Sequence, residues 1–426
     1  MSRTGIRARH ATIRTAPTGR GPRRRAGRDM ADLRTVGAAL ATQVDPERLR
    51  ESTMEMVRIP SWPGEERAMA ECYSRILERA GLQVEWEHSC PESPSVVGRW
   101  RGASLGPRLQ LDGHTDTVPV DHPTPREENG VLYGRGTADM KSGLAASAEV
   151  CRVLSRSGVA LRGELIVTAH GQHEKPAAGR RLHEPLLALF AKGLKGDACI
   201  IPEGPEHELV ITGKGLIIWE AVFRREGEPV HEVWAGTNIP NPIEAAHRFV
   251  SLLHERAGQW TLTDPLVGGE SLFVGAFHGG DLYNVVPTSC RLEGVRRYPV
   301  GRTFEDARRD FDEVAEQVGR ESRLMVDLHL MKSGQPYRLS ECDAVVRALR
   351  WGYEAVTGAA MPFAGMRLSA DAAQFANDGG IPAVYCGLDS ARGHATPEYA
   401  RLSEIVRGTK VLLTAALHFL APAEPG

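Results

Sequence analysis

The chain has no Cys-x-x-Cys pair. Its seven cysteines, Cys72, Cys90, Cys151, Cys199, Cys290, Cys342 and Cys386, are odd in number and scattered. That argues against a disulfide framework or a thiolate zinc site and for free thiols in a reducing cytoplasm. The opening MSRTGIRARHATIRTAPTGRGPRRRAGRD has no apolar core, so it encodes neither a signal peptide nor a membrane span. An internal repeat is missing as well. The formal net charge is only -2, but Met1–Asp29 holds nine Arg against one Asp, a +8 that leaves -10 for the remainder. An acidic body of that kind offers no footprint for nucleic acid or an anionic membrane.

The Arg-rich opening is also rich in Gly, Pro and Thr and has no helical periodicity. We read residues 1–29 as an unstructured extension; a basic arm or a transit peptide is the functional reading of the same residues. At 426 residues the chain exceeds one compact core and suits two domains. From Asp45, an N-cap followed by Pro46, helical and strand patterns alternate, with strands at Ser95–Trp100, Leu109–Leu111, Glu164–Ala169 and Ala198–Ile201. This is the rhythm of an α/β domain with a largely parallel sheet flanked by helices, whose strand C-terminal ends carry function. Near Gly213 the order becomes strand, helix, two strands, helix, strand, the split βαβ pattern of an α+β ferredoxin-like module. The first pattern resumes after Ser333. The expected organisation is a catalytic domain in two parts, 30–213 and 334–426, with a lid domain inserted at 214–333.

The chemistry gathers at strand ends. The run LQLDGHTDTVPV ends a strand in His114 and Asp116, and Gly134 and Gly136 bracket a turn that delivers Asp139 ahead of an Ala-rich helix. The strand Glu164–Ala169 runs into His170, His173 and Glu174, Ala198–Ile201 leads to Glu203, and Ala383–Gly387 leads to a loop bearing His394. Five N and O donors, His114, Asp139, Glu174, Glu203 and His394, would form a two-metal site if Asp139 bridges. Borderline ions such as zinc take that donor mixture, and paired ions polarise a carbonyl and generate hydroxide. Any one of these residues alone reads as an ordinary hydrogen-bonded side chain; the joint pattern carries the argument.

The stretches GHTDTVP and GRGTADMKSG are close to two signature motifs. From about Asp45 to Phe419 the chain resembles the zinc aminoacylase, acetylornithine deacetylase and succinyl-diaminopimelate desuccinylase family of metallopeptidases and amidohydrolases. The resemblance implies two divalent ions, zinc with cobalt or manganese as alternatives. His114 and Glu203 would hold one, Glu174 and His394 the other, with Asp139 between them. It implies that Asp116 orients His114, as metal-bound imidazoles require. Gly227–His231 followed by Gly236–Asn238 resembles the family's lid motif, whose histidine steadies the developing oxyanion, across the subunit boundary in dimeric members. Asn284 and Arg296 fit lid positions that contact substrate, and Arg296 or a similar cation is expected to hold the substrate carboxylate. Asp371 fits an acidic position ahead of the last ligand strand.

One position departs from the family. Where it has a glutamate that takes a proton from the attacking water, this chain has His173. A neutral imidazole is a competent proton acceptor near pH 7. Alternatively His173 adds a metal ligand, with His170 or an outer carboxylate as base, or the chain binds metal without hydrolysis. The sequence thus leads to a cytoplasmic, metal-dependent hydrolase of amide bonds in small N-acyl amino acids or short peptides, homodimeric through its lid. A catalytically silent relative that binds such a ligand is the second reading.

Overall fold

The structure, a computed structural model, describes residues 23–236 and 239–421. Its main sheet runs, in spatial order, Gln83–Glu87, Ser95–Arg101, Arg162–His170, Ser104–His114, Ala198–Glu206, Ala383–Gly387, Leu209–Gly213 and Tyr337–Arg338, with Phe363–Met366 paired to Leu209–Gly213. The four inner strands from Arg162–His170 to Ala383–Gly387 are parallel, and antiparallel strands close both sides. Sequence explains this, because the inner strands are apolar on both faces: Leu109, Leu111, Ile166, Val167, Ile200, Ile201 and Val384 are all fully buried. Such continuous runs belong to sheets covered by helices on either side. Register then places chemistry, since His114 lies opposite His170 at the carboxyl edge and the neighbouring strand reaches Glu203 there.

Helix Ser142–Arg156 buries its Ala-rich face beside the sheet, with the C-terminal helix Leu402–Leu420 packed across it. Helix Arg23–Ala41 lies on that terminal helix, where Gly37 comes close to Thr414 and Leu417. It begins at Arg23, inside the stretch expected to be unstructured. Residues 1–22 lie outside the described residues. Asp45 caps helix Pro46–Val57 as expected, accepting from the N–H groups of Glu47 and Arg48.

Between Gly215 and Gly334 the chain forms a separate antiparallel sheet, ordered Ser271–Gly279, Ser289–Tyr298, Gly215–Arg224, Met325–Gly334. Helices Pro242–Ala257 and Phe304–Ser322 cover it around a core of Trp219, Phe223, Phe249 and Phe311. That is the ferredoxin-like order expected from the sequence. Among the described residues no helix is long and apolar enough to cross a membrane.

Candidate metal centre

Two glycines shape the first half of the site. Gly113 gives Met140 and Leu144 room against the strand end, where any Cβ would clash with both side chains. Gly136 sits at φ +90, a left-handed value that glycine adopts without steric cost. The turn Thr137–Lys141 that follows aims Asp139 back at His114. Their closest atoms, His114 Nε2 and Asp139 Oδ1, are 3.0 Å apart. The other oxygen of Asp139 lies 3.2 Å from His394 Nε2, which is in turn 3.0 Å from Glu174 Oε1. Asp139 therefore faces two histidines with its two oxygens, as a bridging carboxylate must.

The remaining donor comes from the Ala198–Glu206 strand. Donor atoms of His114, His173 and Glu203 all lie within 4.8 Å of one another, and so do those of His114, Asp139 and Glu174. Glu203 Oε2 is buried and has no hydrogen-bond partner. An orphaned buried carboxylate oxygen is costly unless a cation or a proton completes it. Burial, reinforced by the Asp139 charge, pushes the Glu203 carboxyl up to about 7. Burial would raise Asp139 too, but His114 and His394 outweigh it and hold Asp139 well below the usual carboxylate range. Hydrogen bonds to Asp139 and Glu174 carry His394 up to about 10. In short, these groups neutralise one another through shared protons, and two histidines with three carboxylates are a donor set that divalent ions can take over.

Asp116 does more than face His114. The imidazole Nδ1 is 2.9 Å from the Asp116 main-chain carbonyl oxygen, whereas the nearer carboxylate oxygen is 3.5 Å away. That carboxylate accepts the backbone N–H groups of His173 at 3.1 Å and Glu174 at 2.9 Å. It ties one strand end to the other. Glu398, which the sequence reading passed over, does the same for the Asp139 turn: one oxygen accepts from the N–H groups of Gly136, Ala138 and Asp139 at 2.9–3.1 Å. Arg135 pairs with its second oxygen at 2.8 Å. Nothing around Glu398 in the sequence marks it except its place four residues after His394.

His173 lies on the wall of a cavity of about 880 Å³ that also takes in Asp139, Glu174, Glu203 and His394, with Leu216 and Arg297 contributed by the inserted domain. Its ring stacks on His114, 3° from parallel with centroids 4.2 Å apart. Its Nδ1 is 2.7 Å from Asp371 Oδ2. Burial alone would lower the imidazole, but the Asp371 carboxylate outweighs it and pushes His173 up to about 9. Divalent ions among the donors would push the other way.

The expectation at Arg296 does not hold. Its side chain is fully buried on the helix-covered face, paired with Glu270 at 2.7 Å and Asp310 at 2.8 Å and stacked over Trp260. Strand residues alternate faces, so the neighbouring Arg297 points the other way, into the cavity. Arg297 Nη1 is buried without a hydrogen-bond partner, and no acid pairs with this side chain among the described residues. His231 and Asn284 contact each other, Asn284 Nδ2 donating to His231 Nε2 at 3.0 Å, on the short pairing of Val230–His231 with Val285–Val286. Neither lines the cavity within this chain. Thr237 and Asn238 of the lid motif lie outside the described residues.

A parallel α/β sheet with carboxylates and imidazoles converging at its strand ends, overhung by a ferredoxin-like insert, defines a metal-dependent hydrolase of amide bonds. The chain belongs to peptidase family M20/M25/M40, whose model matches residues 110–418. Among curated proteins it is similar to the succinyl-diaminopimelate desuccinylase of Methylobacterium radiotolerans, 26% identical over 86% of this chain and 95% of that one. It is also similar to the N-formyl-4-amino-5-aminomethyl-2-methylpyrimidine deformylase of Halalkalibacterium halodurans, 26% identical over 83% and 90%. Among solved structures, aminopeptidase PepT from Bacillus cereus shares the fold with a TM-score of 0.73 at 18% identity, over 88% of this chain and 99% of that one. A Bacillus subtilis protein described as a dinuclear metal binding peptidase from the M20 family gives 0.65 at 15%, over 90% and 99%.

Proposed function

We propose that this chain hydrolyses the amide bond of small N-acyl amino acids or short peptides, with His173 as the group that moves the proton. The observation that carries the reading is Asp139, one oxygen toward His114 and the other toward His394, in the same cavity wall as His173. His114 and Glu203 would hold one divalent ion and Glu174 and His394 the other, Asp139 serving both. When bound, zinc, or cobalt or manganese in its place, supplies Lewis-acid polarisation of the scissile carbonyl and a lowered pKa for water. His173 takes the proton from the attacking water and hands it to the leaving amine nitrogen. The parallel stack with His114 supports this over a role as an added ligand. In-plane lone pairs of two parallel rings cannot converge on one ion, so His173 would have to leave the stack to share the ion held by His114.

Arg297 replaces Arg296 in the substrate role. A half-buried guanidinium with an unpartnered Nη1 suits a substrate carboxylate. Arg297→Leu is expected to raise KM for N-acyl amino acids roughly tenfold or more, the scale of a lost charge-assisted hydrogen bond, and an unchanged KM would remove it from that role. His231 sits on an exposed two-stranded pairing beside Trp234, 79% exposed, and Tyr283, fully exposed. That placement supports a homodimer in which His231 serves a second copy's site; sedimentation of the intact protein as a monomer would exclude it. The seven unpaired cysteines, six of them buried, support a reducing cytoplasm.

The experiment that tests the main reading is turnover of an N-acyl amino acid panel by zinc-loaded protein and by His173→Ala. The variant is expected to keep its metal and to lose roughly 10²–10⁴-fold in kcat, the range a positioned base contributes. Retained turnover removes His173 from the role. Silence of the metal-loaded parent favours the binding protein that never hydrolyses.

A further inference from the structure

Behind His173 lies a buried network that the proton step has not used. Asp371 is fully buried, and among the described residues its only ion-pair partners are histidines. Its Oδ2 is 2.7 Å from His173 Nδ1 and 3.4 Å from His170 Nε2, and its Oδ1 is 3.0 Å from His183 Nδ1. His170 Nε2 is also 3.3 Å from Asp112 Oδ2, and Asp112 is held in turn by the Thr168 hydroxyl. His183 takes up φ +58, a left-handed conformation uncommon outside glycine, in the loop that brings it to Asp371.

A buried carboxylate with no Lys or Arg beside it is a poor way to stabilise a core, because its desolvation is offset only by polar imidazoles. Its geometry, by contrast, is well suited to holding one ring. Resting on the reading of His173 as the base, we propose that Asp371 is a positioning residue. It accepts the Nδ1–H of His173, the one side-chain hydrogen bond to this carboxylate among the described residues, so that the ring is kept as the tautomer whose bare Nε2 faces the cavity, while His170 and His183 lie close by without hydrogen-bonding it. A carboxylate serves because it can only accept; an amide there could also donate and would admit the wrong tautomer. The stack with His114 fixes the ring plane, and Asp371 fixes which nitrogen carries the hydrogen.

The proton count closes. An O–H bond of the attacking water breaks as an N–H bond forms at Nε2, which leaves an imidazolium beside the Asp371 carboxylate. That Nε2–H then breaks as the leaving amine nitrogen gains its proton, and His173 returns to its starting tautomer. Asp371 stays ionised throughout and never exchanges a proton with the ring. In this arrangement the histidine and its acid together fill the place of the single glutamate that the family resemblance leads one to expect.

The test begins with zinc-loaded, unmutated protein carrying ring-¹⁵N histidine. Long-range ¹H–¹⁵N correlations are expected to show His173 protonated on Nδ1 alone; a proton on Nε2, with or without Nδ1, overturns the proposal without any variant. Asp371→Asn is then expected to lower kcat roughly 10²-fold or more, to leave KM within about threefold and metal content unchanged, and to shift the His173 tautomer. Unchanged kcat and tautomer in that variant overturn the proposal. Asp371→Glu, which keeps an acceptor-only group, should recover part of the rate, and recovery no better than Asn counts against it. In a His173→Ala background the added Asp371→Asn should change the residual rate by less than about twofold, because Asp371 acts through the ring; a full additive loss assigns Asp371 a merely structural role. Loss of turnover in His173→Ala together with a normal rate in Asp371→Asn sinks this inference and leaves the base reading standing. Retained turnover in His173→Ala sinks the base reading itself.

Discussion

The two neighbouring strand ends at the site, paired at His114 and His170, are built in different ways. At the His114 end, Asp139 is fixed through backbone: the N–H groups of Gly136, Ala138 and Asp139 converge on one oxygen of Glu398, and Gly136 supplies the turn's left-handed step. At the His170–Glu174 end, Asp116 also holds the backbone, but the ring of His173 is fixed by side chains, with His114 on its face and Asp371 at its edge. Asp139 is thus placed by main-chain hydrogen bonds, while His173 is placed by side-chain contacts.

The sharpest way to test that division is to remove the bridge. Asp139→Asn keeps the turn's size but takes away the charge shared by His114 and His394, and it is expected to abolish binding of at least one of two zinc ions, with turnover falling below detection. Metal analysis of the purified variant checks this. Two equivalents retained would show that Asp139 is not the shared ligand and that the strand ends hold their ions separately.

A smaller effect is expected from Glu398→Gln. The amide oxygen can still accept, but it loses the charge that makes each of its backbone hydrogen bonds worth about 1.5–3 kcal/mol rather than about 1, and it weakens the pairing with Arg135. Because Glu398 touches no donor directly, the loss should appear as roughly 10–100-fold weaker zinc affinity, the scale seen when partners of metal ligands are changed. Competition with a chromophoric chelator measures it. An unchanged affinity combined with lower thermal stability would mean that the backbone-held side is no more specialised for metal than any other buried turn.

The same division explains what could be read in the sequence. The α/β alternation, the inserted module and the strand-end donors were all legible, because continuous apolar runs, glycine-bounded turns and motif spacing report backbone geometry directly. Four features were not. Arg296 and Arg297 are adjacent on one strand, and which of them faces the cavity depends on a register that a one-residue shift inverts. Glu398 acts by accepting main-chain N–H groups, which leaves no residue-type signature in the partners. Asp371 was visible only as an acid ahead of a strand; that it meets His170, His173 and His183 follows from tertiary approach of segments about 200 residues apart. The helix from Arg23 escaped as well, since its composition resembles that of an unstructured arm and its place depends on packing against the C-terminal helix.

The smallest expected effect probes the cost of the side-chain-built end. Glu66 is fully buried under that loop, where it accepts the Gln172 N–H at 3.0 Å and the Gly64 N–H at 2.8 Å and meets the Ser93 hydroxyl. Burial pushes its carboxyl up to about 7; the Ser93 hydroxyl opposes this and the Asp116 charge adds to it. A folded-state pKa above the ordinary 4.5 means that the folded chain binds this proton more tightly than the unfolded chain does. The associated stability is fully present below about pH 4.5, falls as pH rises toward about 7, and is gone above that. A shift of that size corresponds to roughly 3 kcal/mol. Glu66→Gln cannot ionise, so the stability of the parent relative to the variant should fall by that amount between pH 4.5 and 7.5 in urea titrations. A gap that stays constant with pH would show that Glu66 is already ionised in the folded protein, and that the His170–Glu174 end is held by charge rather than by a retained proton.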